Sequence, residues 1–128
     1  MTLVSVNVCV RNGVEWIDDC IQSLIDQTHR PLEIILVDDG STDGSKDKVQ
    51  KWGEHDLVSA IVQEPIGLSA GRMAALQLSK GEWVAITDID VRPEPNWIEE
   101  LLNSSQSQGD ENVMAVTGRT VFAKSSDT

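Results

Sequence analysis

The chain has 128 residues, enough for one domain with its own core, and its 40 % hydrophobic content excludes a disordered composition. Lysines and arginines number 10 and acidic residues 21, a net charge of −11, which argues against nucleic acid as a partner. A phosphorylated ligand then needs a local counter-charge, and a divalent cation held by carboxylates supplies one.

In chain order, Val4 to Val10 carries valine at four of seven positions and reads as a buried strand. Asn12-Gly13 punctuates it, and a helix follows from about Glu15 to Gln27 with Ile17, Ile21, Leu24 and Ile25 on one face. Leu32 to Val37 is the clearest strand. It ends in Asp38-Asp39-Gly40-Ser41-Thr42-Asp43-Gly44, a run of turn formers. Ser41, Thr42 or Asp43 is placed to cap a short helix carrying Val49 and Trp52. Leu57 to Val62 is a third strand. A helix from about Ser69 to Ser79 carries Met73, Ala74, Leu76 and Leu78, and Gly81 stops it. Trp83 to Thr87 is a fourth strand, ending in Asp88-Ile89-Asp90. Pro95 suits the first turn of a helix that runs to about Asn103 with Trp97, Ile98, Leu101 and Leu102 as its apolar stripe. Ser104 to Asn112 is a polar loop, Val113 to Phe122 a last strand, and Lys124 to Thr128 a polar tail.

Cys9 and Cys20 lie in apolar patterns and read as reduced core thiols. No apolar run approaches the ~18 residues that cross a membrane. No signal segment opens the chain, so the expected location is the cytoplasm, with any membrane-surface attachment made through other parts. No internal repeat or linker divides residues 1–128, which read as a single domain.

Strands alternating with helices predict an α/β fold, a mostly parallel sheet with helices on both faces. Ligands bind such sheets at the carboxyl ends of the strands. Arg11-Asn12-Gly13, Asp38-Asp39-Gly40-Ser41 and Asp88-Ile89-Asp90 all fall at those ends. Asp88 and Asp90 present hard oxygens suited to Mg²⁺ or Mn²⁺ bridging a diphosphate, though two solvated aspartates in a loop leave the same triplet. Asp38 and Asp39 are placed to accept hydrogen bonds from a nucleobase N–H or ribose hydroxyls, though a ligand-free turn has the same composition. Arg72, on the helix after Gly67, is placed to pair with a base or phosphate, and a surface arginine is the plainer alternative.

Taken together, these segments resemble family 2 glycosyltransferases. The likeness runs through Val4-Ser5-Val6, Asn12-Gly13, Ser23-Leu24, Gln27-Thr28 and Leu32 to Ser45, the last containing Val37-Asp38-Asp39-Gly40-Ser41-Thr42-Asp43-Gly44. It continues through Gly67 to Arg72, Lys80-Gly81-Glu82-Trp83-Val84, Asp88-Ile89-Asp90 and Pro95-Asn96-Trp97-Ile98-Glu99. The resemblance implies a GT-A (Rossmann-like) fold and transfer of a sugar from a nucleotide donor, usually with inversion. It matches Asp39 to the aspartate that contacts uracil, Arg72 to an arginine near the base, Asp88 to the ribose and diphosphate, and Asp90 to the metal-binding aspartate. Asp38 is a second donor-site candidate. Cys9 and Arg11 take positions where the family usually has proline and an aromatic residue, and Asn7 replaces an apolar one. Arg11 can stack on a base through its planar guanidinium.

Family members run well past this length. The general base of an inverting transfer and the acceptor region come later in them, and Asp127, in the tail, is not assigned that role. The expectation is therefore the N-terminal, donor-binding part of a longer enzyme, its fold truncated here. Its partners would be a nucleotide-sugar donor, with uridine favoured, and a sugar, lipid or polysaccharide acceptor. A non-catalytic nucleotide-sugar-binding module is the alternative. A receiver domain also pairs strand-end aspartates, but Lys124 is a poor match for the lysine it needs. A truncated sheet edge is free to pair with a second copy, leaving a homo-oligomer open.

Overall fold

The computed structural model describes residues 2–107, 114–117 and 120–124. Its parallel strands are β1 Val4–Val10, β2 Leu32–Asp39, β3 Val58–Gln63 and β4 Trp83–Asp88. Helix α1 Val14–Ile25 joins β1 to β2, α2 Ser45–Trp52 joins β2 to β3, and α3 Leu68–Leu78 joins β3 to β4. Helix α4 Trp97–Ser107 follows, then β5 Met114–Thr117 and β6 Thr120–Lys124. The sheet order is β3-β2-β1-β4-β6-β5, with β6 antiparallel to both β4 and β5. The predicted mostly parallel sheet is therefore present, with an antiparallel pair added at one edge.

Alternation along β1 sorts its side chains between two layers. Val4, Val6, Val8 and Val10 join Ile17, Cys20, Ile21 and Leu24 of α1, Val49 of α2, and Ile98, Leu101 and Leu102 of α4 in the larger core. The opposite face holds a smaller cluster, Ile35, Val37 and Ala75, with Cys9 and Ile61 against it. Helix α3 covers that face. It does so through its small residues, Gly71 and Ala75, one helical turn apart. The large apolar side chains it carries, Met73, Leu76 and Leu78, are exposed. Small residues let the helix axis approach the sheet, so bulk ends up on the outer side.

Several boundaries differ from the sequence reading. The last strand is two, β5 and β6, which pair antiparallel with each other. Helix α4 continues to Ser107, into the stretch read as a polar loop, while positions 108–113 and Asp127 lie outside the described residues. Pro95 precedes α4 by two residues. The start of α4 is instead held by Gln27, whose Oε1 accepts the Ile98 N–H at 3.0 Å while its Nε2 donates to the Glu94 carbonyl at 2.6 Å. Gly81 does not stop α3, which ends three residues earlier. A Cβ at Gly81 would lie 2.6 Å from the Ser5 backbone nitrogen, so its role is close approach to β1.

Candidate functional site

Three chain reversals meet at the carboxyl edge of the parallel strands. Asn12 follows β1 with a positive φ of 54°, a conformation asparagine tolerates. Its Oδ1 accepts the Thr42 N–H at 2.8 Å, and its own N–H donates to Ser41 Oγ at 2.9 Å. Asp43 then bridges two helices. Its Oδ2 accepts the Val14 N–H at 3.1 Å and its Oδ1 the Ser45 N–H at 3.0 Å, so it serves the first turns of both α1 and α2. Gly44 occupies the N-cap position of α2 that was expected of Ser41, Thr42 or Asp43. Much of the acidic turn is thus spent on fastening one loop to another.

Asp38 and Asp39 point to opposite faces of β2, as adjacent strand residues must. Asp38 lies on the side of Ile34 and Leu36. It is fully buried, its Oδ2 accepts the Ser41 N–H at 3.1 Å, and among the described residues its Oδ1 finds no partner. It borders a cavity of about 470 Å³ at the β2–β3 tips, lined also by Ser41, Thr42, Lys46, Gln63 and Glu64. A second cavity, about 590 Å³, lies against Asp18, Lys48, Trp52 and His55 and contains none of the candidate residues.

Asp39 faces α3 and is also fully buried. Its Oδ1 accepts from Gln63 Nε2 at 2.9 Å, Ile66 N at 3.1 Å and Gly67 N at 3.3 Å, and its Oδ2 accepts from Gly67 N at 3.1 Å. The Gln63 amide, then the loop N–H groups and the Arg11 charge, hold its carboxyl below the usual carboxylate range against the opposing effect of burial. Arg11 itself is exposed at the tip of β1.

Cys9 stands opposite both Val37 and Asp88 in the sheet register, between the two acidic tips. Burial pushes its thiol up to about 11, with Arg72 lowering it and Asp39 raising it. Both charges therefore act on the same point of β1. Arg72 Nη2 lies 3.4 Å from Asp88 Oδ1, and Asp88 is half-buried. Beyond it the chain turns, since the Val91 N–H donates to the Asp88 carbonyl at 3.1 Å, and Asp90 is exposed on that turn. Strands β2 and β4 both flank β1, so their tips are roughly 10 Å apart, two strand spacings. Cys9, Arg11, Asp39, Arg72, Asp88 and Asp90 share this edge, while Asp38 stands behind the sheet.

Gln63 and residues 64–66 did not emerge from the sequence, which marked Gly67 alone of this stretch. Gln63 reaches Asp39 from 24 residues away, and no local pattern encodes that pairing.

The sequence pattern described as glycosyl transferase family 2 matches residues 5–124. The chain belongs to this family. Over 111 residues this family 2 chain is 35 % identical to the cholesterol galactosyltransferase of Borreliella burgdorferi, spanning 86 % of this chain and 31 % of that protein. Its fold matches S. aureus TarS (residues 1–349) with a TM-score of 0.78 at 19 % identity, covering 98 % of this chain and 47 % of that one. The same TarS fragment in complex with UDP-GlcNAc matches at 0.69 and 25 % identity, over 93 % and 36 % of the two chains. A mannosyltransferase from Pyrobaculum calidifontis, in complex with GDP-Man and Mn²⁺, matches at 0.74 and 24 % identity, over 94 % and 44 %. The GT-A type of the fold rests on these neighbours. The chain spans about a third of the length of the curated relatives.

Proposed function

We propose that this family 2 domain binds a nucleoside diphosphate sugar, with uridine favoured, and presents it for inverting transfer to an acceptor hydroxyl. The observation that supports it is that Asp39, Arg72 and Asp88 gather about Cys9 at the carboxyl edge, with Arg11 acting on Asp39 and Asp90 on the turn after Asp88. Asp39 would read the base, Arg11 would stack on it, and Asp88 would meet the ribose and diphosphate. Residues 1–128 act as one donor-binding unit.

The donor set fits a hard divalent cation. Asp88 and Asp90 supply two carboxylates, with neither histidine nor thiolate, and among the described residues no cluster of three or more such ligands forms. Two protein carboxylates with substrate phosphates suit Mg²⁺ or Mn²⁺. When bound, such a cation would neutralise charge on the departing diphosphate. Arg72 already pairs with Asp88 and adds positive charge at the same place.

No described residue at the edge is placed as the general base, so in this reading the base and the acceptor site come from other parts of a longer enzyme. A nucleotide-sugar-binding module without catalysis is the second reading, favoured by the same observation. Calorimetry of uridine diphosphate with and without Mn²⁺ tests the site. Metal-dependent binding that is lost in Asp90→Ala is the expected result, and equal binding by the variant would sink the metal assignment. Turnover of a donor to a glycoside then separates enzyme from module.

A further inference from the structure

We infer that Gln63 is a positioning residue for the nucleobase: its amide holds one oxygen of Asp39 so that the other can take a ring N–H of the donor. This inference rests on the donor-site reading above.

The contacts on Asp39 are uneven. Oδ1 receives three donors, from Gln63, Ile66 and Gly67, whereas Oδ2 receives one, from Gly67. A carboxylate has about two acceptor directions per oxygen, so Oδ1 is saturated and Oδ2 keeps one direction for another donor. Uracil and guanine offer a ring N–H at the corresponding edge, while cytosine and adenine offer a ring nitrogen that only accepts. The chemistry therefore favours a base of the first kind, because the amino groups of cytosine and adenine donate beside a ring nitrogen whose lone pair repels the carboxylate.

Access depends on the loop. Asp39 is fully buried, so a base reaches the open direction on Oδ2 only as the loop that carries the Gly67 N–H shifts. Gly67 has φ 110° and ψ 153°, a conformation open to glycine, yet a Cβ there would meet nothing within 4 Å. The glycine is needed for its backbone freedom, and open space beside it leaves room to move. Ile66, next to it, is 66 % exposed and does not anchor the loop.

Gln63 differs from the loop donors because it belongs to the sheet. It is paired with Asp39 in the β2–β3 register, so it keeps its place when residues 64–67 shift. When the loop N–H groups leave, the Gln63 amide keeps Asp39 oriented and ionised. Arg11, just past β1, also acts on Asp39, and Cys9 of β1 feels both Asp39 and Arg72 of α3.

The test is calorimetric titration of uridine diphosphate, with Mn²⁺ present, into the wild type, Gln63→Met and Asp39→Asn between pH 5 and 8. Circular dichroism checks that each is folded. Methionine keeps the side-chain length and removes the donor. Losing a hydrogen bond to a charged group should weaken binding about tenfold. The loss should not shrink towards acid pH, because Asp39 without the amide protonates more readily. Wild-type affinity in Gln63→Met at every pH, with binding lost in Asp39→Asn, would overturn the assignment while leaving the donor site standing. Unaltered binding by Asp39→Asn would remove the donor-site reading and this inference together. Should Gln63→Met not fold, Gln63→Asn keeps the amide but retracts it by one methylene, and the same tenfold loss is expected; undiminished binding overturns the proposal.

Discussion

Ser45 is fully buried, and its hydroxyl works in two directions. It accepts the Gly13 N–H at 3.2 Å and donates to Asp43 Oδ1 at 2.6 Å. Replacing it with alanine would leave the buried Gly13 N–H without a partner and release one constraint on Asp43. An unsatisfied buried donor costs about 1–3 kcal/mol, so Ser45→Ala should lower unfolding stability by that order in urea titration. An unchanged urea midpoint would show that the two loops are held together by other means. Two residues away, Asp43 serves the same joint but lies in the open, where screening weakens its contacts. The composition of Gly40 to Ser45 predicts a turn, and a turn is present. Its coupling to Asn12, Gly13 and Val14 is a matter of three-dimensional proximity.

At the scale of elements, the approach of α3 and of the Lys80–Gly81 turn to the sheet is governed by small residues. Gly81 donates its N–H to Ser5 Oγ at 2.8 Å, and Lys80 donates its N–H to Glu33 Oε2 at 2.6 Å. These bonds pin the entry of β4 against β1 and β2. A methyl group at Gly81 would meet Ser5 backbone at 2.6 Å, and backbone cannot move aside cheaply. Overpacking of this kind costs about 1–3 kcal/mol, so Gly81→Ala should unfold at lower urea concentration. Leu76→Gln on the exposed side of α3 is the control and should change stability by less than about 0.5 kcal/mol. A Gly81→Ala protein as stable as the wild type would mean that β4 can shift along β1 without penalty.

For the whole molecule, acid sensitivity follows from Asp39. Its folded-state carboxyl lies below the ordinary value, Gln63 being the largest cause. Such a group stabilises the fold above about pH 4, its unfolded range, and that contribution fades as pH falls through the folded value. The lysine hydrogen bond of Asp18 and the serine hydrogen bond of Asp43 lower those carboxyls as well, but both groups are exposed and contribute less. The stability difference between wild type and Asp39→Asn should therefore be largest near neutrality and shrink below about pH 4. Thermal unfolding across that range measures it. A difference that stays constant down to pH 3 would mean that Asp39 acts through shape rather than charge.

Much of the molecule was legible in its residues. Valine at alternate positions of β1 and the periodic stripe of α1 are local signals, and they predict elements within a few residues of their observed ends. The three acidic or polar breaks fall at strand ends because turn formers stop strands, and parallel topology then brings every such end to one edge. Alternation even separates Asp38 from Asp39. What local signals do not carry is partner choice across the sheet. The Asp39 carboxylate meets the Gln63 amide, Gln27 holds the start of α4 and Asp43 holds the start of α1, through contacts 24, 71 and 29 residues apart in sequence. Those contacts exist only once strand register and helix docking have set which groups are near, so the tertiary structure alone decided them. The same holds for α3, whose apolar side chains stay outside because Gly71 and Ala75 let its backbone come close to the sheet.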